Sequence, residues 1–223
     1  MSARDTILAG VRRSLGVSSD DAARRAAVAQ RLSEARPGLI PARGQLPLEE
    51  RISLFSKYAQ KYGATIARVD AITGLPGEVS RYLMSHNLPA SIRMGDDPLL
   101  KGAGFENETV LTVLHGASDG TDLAGVSHAR GAVAESGTLV LASGPDNPVT
   151  INFLPEHHIV AVRAEDVGGS LEEAFAGIVA TYGKGMMPRT VNFVTGPSRS
   201  GDIEQKIIMG AHGPRALHIV IIG

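Results

Sequence analysis

The chain has 223 residues, a formal net charge of −1 and no cysteine. That length suits one large α/β domain, or one domain with a helical arm, burying roughly 70% of the surface its unfolded chain exposes. The missing thiols exclude disulfides, cysteine-ligated zinc, cysteine-held iron–sulfur clusters and a cysteine nucleophile, and the balanced charge with no Trp argues against nucleic acid as a partner.

The N-terminal stretch MSARDTILAGVRRSLG contains no continuous apolar run, so it does not read as a secretory signal. No segment approaches the roughly 20 apolar residues of a membrane span. The expectation is a cytoplasmic protein. Ile7, Leu8, Val11 and Leu15 fall at helical spacing and predict a short amphipathic helix over about Ser2–Leu15. Residues Ser18–Arg36, rich in Ala and Arg, extend the helical pattern until Pro37-Gly38 and Pro41 break it. Residues 1–46 therefore read as a helical arm, and residues 47–223 as the α/β domain.

From Pro47 the pattern alternates. Leu48–Tyr62 predicts a helix with Pro47 at its start and Gly63 as its stop. Thr65–Val69 predicts a strand, Leu75–His86 a helix, Ala90–Met94 a strand and Thr109–Leu114 another β-rich run. Ser127–Glu135 is expected to be a short helix, Thr138–Ala142 and His158–Val162 strands, and Leu171–Tyr182 a helix. Val191–Thr195 predicts a strand, Asp202–Met209 a helix and Leu217–Ile222 a last strand. Short strands that are apolar on both faces, alternating with helices, are the pattern of a three-layer α/β fold: a mostly parallel sheet with helices on both faces. Such sheets gather ligand loops at the carboxyl ends of their strands.

Three loops carry residues suited to chemistry. Thr195, Gly196, Pro197, Ser198, Arg199, Ser200 and Asp202 lie between a strand and an expected helix, where free N–H groups, hydroxyls and a guanidinium could cradle an anion. The alternative is a capped helix, with Asp202 and Glu204 complementing its dipole. Glu135, Ser136, Gly137 and Thr138 form a turn after the other expected helix. At a helix C-terminus the Glu135 carboxylate is poorly placed, which makes it a candidate base or ligand contact. The alternative is a surface Glu paired with an Arg such as Arg130. In the third segment, Asp146 to His158, the adjacent His157 and His158 must point to opposite faces of a strand. They cannot easily share a metal, and no metal site is expected. No GxSxG elbow supports a serine triad.

Gly125-Val126-Ser127 with AESGTLVL (Ala134–Leu141), LPEHHIVAV (Leu154–Val162) and TGPSRSGDIEQKIIMGAHGPRALHIVII (Thr195–Ile222) together resemble, in order, the motifs of the lactate-utilization protein C family, the LUD domain. The resemblance runs from about Pro47 to the end. The family pattern more often has Thr at position 136 and TAD or TGD around positions 200–202; this chain keeps a hydroxyl or small residue and the Asp. The resemblance implies a fold like ribose-5-phosphate isomerase and the CoA transferases. It also implies a part in oxidising L-lactate to pyruvate with iron–sulfur partner proteins, which would hold the clusters this cysteine-free chain cannot.

The leading reading is a non-redox subunit binding a small organic acid or nucleotide-like ligand, without cofactor of its own; homo-oligomerisation is left open. The alternatives are a self-sufficient isomerase- or transferase-like enzyme on a sugar phosphate or acyl substrate, with Glu135 as base, and a regulatory ligand-binding module. The ESGT turn and the TGPSRSGD loop are expected to approach one cleft. That requires TLVLA to run antiparallel to VNFVT, or the short helix before ESGT to fold over the sheet.

Overall fold

The computed structural model describes residues 2–34, 38–203 and 206–223. The chain divides between Leu39 and Ile40 into two compact units. In the first, α1 (Ala3–Ser14) starts at a capping box: Ser2 Oγ accepts from Asp5 N at 3.2 Å, and Asp5 Oδ2 accepts from Ser2 N at 2.9 Å. A turn with Gly16 at φ +61° separates it from α2 (Ala22–Glu34). Neither helix has a buried residue. Arg36 and Pro37, the expected end of the helical pattern, lie outside the described residues. Among the described residues no helix is long and apolar enough to cross a membrane.

The second unit is built on a six-stranded sheet of β1 (Thr65–Val69), β2 (Ser91–Met94), β3 (Thr112–His115), β4 (Ala124–His128), β7 (His157–Arg163) and β12 (Ala216–Ile222). Its order is β1-β12-β7-β4-β2-β3, and every pairing is parallel. The strands are apolar on both faces because both are covered. Ile159, Ala161 and Val220 face α4 (Leu75–Ser85) and α5 (Pro98–Lys101), through Leu75, Val79, Leu83 and Leu100. On the other face, Val160, Val162, Ile219 and Ile221 meet Ile52, Phe55 and Ala59 of α3 (Leu48–Lys61). The expected α/β class with a mostly parallel sheet is what the chain forms.

That second face carries an addition to the expected layers. A small sheet of β5 (Gly131–Val133), β6 (Thr138–Ala142), β8 (Val167–Gly168) and β9 (Val191–Val194), in the order β8-β5-β6-β9, packs there through Ala132, Leu139 and Leu141. Val133 and Val140 on its far side hold Ile178 of α6 (Leu171–Tyr182). So TLVLA and VNFVT belong to this sheet and not to the parallel one, and they pair antiparallel, Leu139 opposite Val194.

Two expected helices are strands. Residues 127–135 hold the end of β4 and all of β5. The Ala-rich pattern there suits a helix locally, but packing against the parallel sheet overrides it: Ala129, Ala132 and Ala134 are buried in one core with Val160 and Val162. Residues 202–203 and 206–209 lie in two paired strands, β10 (Arg199–Ile203) against β11 (Lys206–Met209), antiparallel with Arg199 opposite Met209. β-branched Ile207 and Ile208 after a Ser-Gly pair favour extended backbone over the helix their spacing suggests. Glu204 and Gln205 lie outside the described residues.

Phe55 is fully buried where α3 crosses the main sheet. Phe55→Ala is expected to lower unfolding free energy by about 3–5 kcal/mol in urea denaturation; a loss below about 1 kcal/mol would place α3 outside the core.

Candidate functional site

The Thr195–Asp202 segment leaves β9 and enters β10, which pairs with β11, so it is not a helix N-terminus and cannot cradle an anion with helical N–H groups. It is organised instead by the turn before β12. Ser198 N donates to Pro214 O at 2.8 Å, Gly210 N donates to Ser198 O at 3.0 Å, and Ser198 Oγ accepts from His212 N at 3.3 Å. The TGPS and GAHGP motifs are therefore two halves of one structure. Gly196 has φ +75°, and a Cβ there would lie 2.5 Å from Tyr62 O at the end of α3; only glycine meets both demands. The Arg199 guanidinium donates to the same Tyr62 carbonyl. Ser200 and Asp202 lie in β10.

Between these halves lies a cleft of about 300 Å³. Thr195–Arg199 and His212–Pro214 line it; Phe153 and Phe193 stand exposed at its rim, and buried Asn152, His158 and Leu217 reach it from below. Beneath it runs a buried polar chain. His158 Nε2 lies 2.9 Å from Ser127 Oγ, and Ser127 Oγ donates to Asn152 Oδ1 at 3.2 Å. Burial pushes His158 down to about 3, so the ring is neutral at physiological pH. The neighbouring His157 points to the opposite face, as strand geometry requires, with Nδ1 3.0 Å from Tyr82 OH on α4. The cleft opens where β7 and β12 begin, at the amino edge of the parallel sheet. The expectation of a carboxyl-edge site fails because β9 belongs to the other sheet.

The ESGT turn meets this loop through hydroxyls. Thr138 Oγ1 is 2.7 Å from Thr195 Oγ1 and 2.8 Å from Ser136 Oγ. Gly137, at φ +67°, lets the turn close on α3: a Cβ there would lie 2.4 Å from Ala59 N. Glu135, Ser136, Gly137 and Thr138 are not among the residues lining the cleft. The Glu135 carboxylate accepts from Leu171 N at 3.2 Å and lies 3.6 Å from Arg43 Nε. It sits at the N-terminus of α6, where negative charge is favourable, and not at a helix C-terminus as its sequence context suggested.

Arg130, the partner considered for Glu135, belongs to a separate cluster at the carboxyl edge of the parallel sheet. Its Nη2 is 3.0 Å from Asp97 Oδ2, and His128 Nδ1 is 3.1 Å from Asp97 Oδ1. Burial raises the Asp97 carboxyl, but the His128 hydrogen bond and the charges of His128 and Arg130 outweigh it and hold Asp97 below the usual carboxylate range. Among the described residues no group of three or more His, Cys, Asp or Glu could hold a metal ion.

Residues 121–222, which include every residue lining the cleft, match the LUD domain. The chain is similar to the LUD domain over that segment. It is 38% identical over 99 residues to lactate utilization protein C of Geobacillus sp., covering 44% of this chain and 41% of that protein. The protein of the same description from Geobacillus thermodenitrificans is 40% identical over the same span and shares, and that from Shouchella clausii 33% over 98 residues, 44% and 43%. The match thus spans about two fifths of these relatives' length. A DUF162 family protein from Deinococcus radiodurans has a similar fold, with TM-score 0.58 and 20% identity, covering 80% of this chain and 99% of that one.

Asn152 and His158 do not stand out in the sequence because a strand pattern says which face a side chain takes, not what lies across it. Ser127 and His158 meet only because β4 and β7 pair with Gly125 opposite His158.

The neutral burial of His158 sets a pH dependence. Its folded pKa lies below the unfolded value of about 6.5, so its stabilising contribution is complete above pH 6.5 and is lost as pH falls toward 3. His157 and His218, both lowered chiefly by burial, act in the same direction. Urea titrations from pH 7 to 4 are expected to show wild-type stability falling more steeply than that of His158→Gln, by up to about 1.4 kcal/mol per pH unit. Parallel curves would mean that His158 keeps its unfolded pKa in the fold and is not held neutral by burial.

Proposed function

We propose that this chain is a non-redox subunit in the oxidation of L-lactate to pyruvate, acting with iron–sulfur partner proteins, and that its cleft takes a small organic acid. The observation that supports the reading is the coincidence of site and similarity: all the residues around the cleft fall within residues 121–222, which match the LUD domain, and the chain is similar over 99 residues to a protein described as lactate utilization protein C. The chain has no cysteine, so cysteine-held clusters would reside on other chains. No flavin or nicotinamide is assigned to it, because no GxGxxG loop opens a helix after its first strand.

Electrostatics favours an organic acid over a nucleotide-like ligand. Among the described residues Arg199 is the one Lys or Arg lining the cleft, and its guanidinium is already engaged by the Tyr62 carbonyl. A di- or triphosphate would demand several cations or a helix N-terminus. The rival reading, a self-sufficient isomerase- or transferase-like enzyme using Glu135 as base, is weakened by the engagement of that carboxylate with Leu171 N and Arg43.

The test is reconstitution. Loss of the chain is expected to abolish growth on L-lactate, and the tagged chain is expected to co-purify with iron–sulfur proteins. The purified chain alone should not turn over L-lactate with an artificial electron acceptor, while the assembled mixture should. Turnover by the chain alone, or unimpaired growth without it, would contradict the proposal.

A further inference from the structure

The starts of β7 and β12 present side chains to both faces of the parallel sheet. His158 and Leu217 line the cleft on one face. Their chain neighbours, His157 and His218, take the other face, against α4. There Tyr82 of α4 is the centre of a cluster. Its ring stacks on His218 at a centroid distance of 4.4 Å, packs against His86 at 4.1 Å and meets His157 edge-on at 5.9 Å. The rings of His86 and His157 are 5.6 Å apart. One phenol thus ties the C-terminal turn of α4 to two strand starts through three histidines.

Counting protons defines the state at neutral pH. Burial pushes the Tyr82 hydroxyl up to about 12, so it keeps its proton. The buried phenol needs an acceptor, and His157 Nδ1 at 3.0 Å supplies it. Burial lowers both His157 and His218, so both rings are neutral. Burial raises Glu78, but hydrogen bonds from Arg81 and His218 outweigh it and leave the carboxylate ionised. Glu78 accepts from His218 Nε2 at 2.9 Å, so His218 Nδ1 carries the lone pair and accepts from Thr65 Oγ1 at 2.7 Å.

The charged groups that act on His157 and His218, besides His86, are Glu78, Arg81, Glu156 and Arg215. They cancel in pairs: Arg81 Nε is 2.7 Å from Glu78, and Arg215 is 3.5 Å from Glu156. Among the described residues, three added protons therefore meet no spare carboxylate in the cluster. One imidazolium on a phenol face is favourable. Two on opposite faces of the same ring, with a third at its positive edge, repel one another. A His157 protonated on both nitrogens also ceases to accept, which leaves the Tyr82 proton without its partner.

We propose that the Tyr82–histidine cluster is an acid-sensitive latch: it holds the starts of β7 and β12 to α4 while the three rings are neutral, and releases them as the rings take up protons, loosening the cleft floor on the opposite face. The link to the cleft is short. His157 and His218 adjoin His158 and Leu217 in the chain, Ala216 N donates to Glu156 O at 3.1 Å, and Ser198 N is bonded to Pro214 O just ahead of β12. The sign follows from the lowered histidines. They bind protons more weakly in the latched state than in a released one, so falling pH favours release. Release begins below about pH 6.5, the ordinary histidine value, and precedes protonation of His158, which burial holds down to about 3. The latch acts on the fold itself and stands whichever ligand the cleft takes.

The test is amide hydrogen exchange on the full chain between about pH 7.5 and about pH 5, corrected for the intrinsic pH dependence of exchange, with an NMR titration of the histidine rings alongside. Amides of residues 82–88, 157–159 and 216–219 are expected to exchange at least about tenfold faster at the acid end, while that of Val126 in β4 does not. The His157 ring and the Gly213 and Leu217 amides should shift with one midpoint. The double substitution His86→Gln, His157→Gln removes two titrating rings and still offers Tyr82 an acceptor. It should leave the melting temperature at neutral pH nearly unchanged and abolish the acid-driven rise. If the double variant is destabilised, the wild-type midpoints decide. No acid-driven rise in the wild type, a rise of the same size in a folded double variant, or separate midpoints for His157 and the cleft amides would each overturn the proposal. An equal rise at Val126 would mean global unfolding and would overturn it too.

Discussion

Two loops reach the C-terminal end of α3 at distances that leave no room for a side chain, and the second half of the domain is positioned by that contact. A Cβ at Gly137 would lie 2.4 Å from Ala59 N, and one at Gly196 would lie 2.5 Å from Tyr62 O. Both glycines have positive φ, so an added side chain would meet backbone strain as well as collision. Because Phe55 and Ala59 anchor α3 on the parallel sheet, the approach fixes the small sheet against the large one. It also sets the Thr195–Arg199 segment over the start of β7 and β12, where the cleft forms. The residue types that read in sequence as ligand-approach glycines are first of all backbone-approach glycines.

The two polar groups at opposite edges of the parallel sheet have opposite electrostatic character. At the carboxyl edge, the fully buried Asp97 is ionised and held by His128 and Arg130. A buried pair of this kind is costly to break and ties strand-end loops together. At the amino edge, the His158–Ser127–Asn152 chain is neutral throughout, so its orientation is set by hydrogen-bond direction and not by charge. A neutral network of this kind can present donors and acceptors to a ligand without first desolvating an ion.

Much of the fold is legible from local pattern. The strands at Thr65–Val69 and Thr138–Ala142 and the helix at Leu171–Tyr182 are read at their observed bounds. What defeats the reading is tertiary override. SHARGAVAE has helical composition, but its Ala129, Ala132 and Ala134 are buried in one core with Val160 and Val162. Asp202–Met209 has helical spacing, but its β-branched Ile207 and Ile208 lie in a strand paired with β10. Those two errors propagated to the site. They made Glu135 look misplaced at a helix C-terminus and made Thr195–Asp202 look like a helix-capping anion loop. The closeness of the ESGT turn and the Thr195 loop was nevertheless deducible as a consequence of antiparallel pairing, and the Thr138–Thr195 hydroxyl contact is its outcome. The partnership of Ser127, His158 and Asn152 was not deducible, since it depends on the register of β4 with β7 and on the 3-10 turn Val149–Asn152.

The central claim is that the cleft between the TGPS and GAHGP motifs is where this chain takes its ligand. The most direct measurement is a crystal structure of the full chain grown with L-lactate. The account predicts bound acid between Asn152, His158 and the Ser198 turn. Ligand density at the Asp97–His128–Arg130 cluster with the cleft unchanged would contradict it.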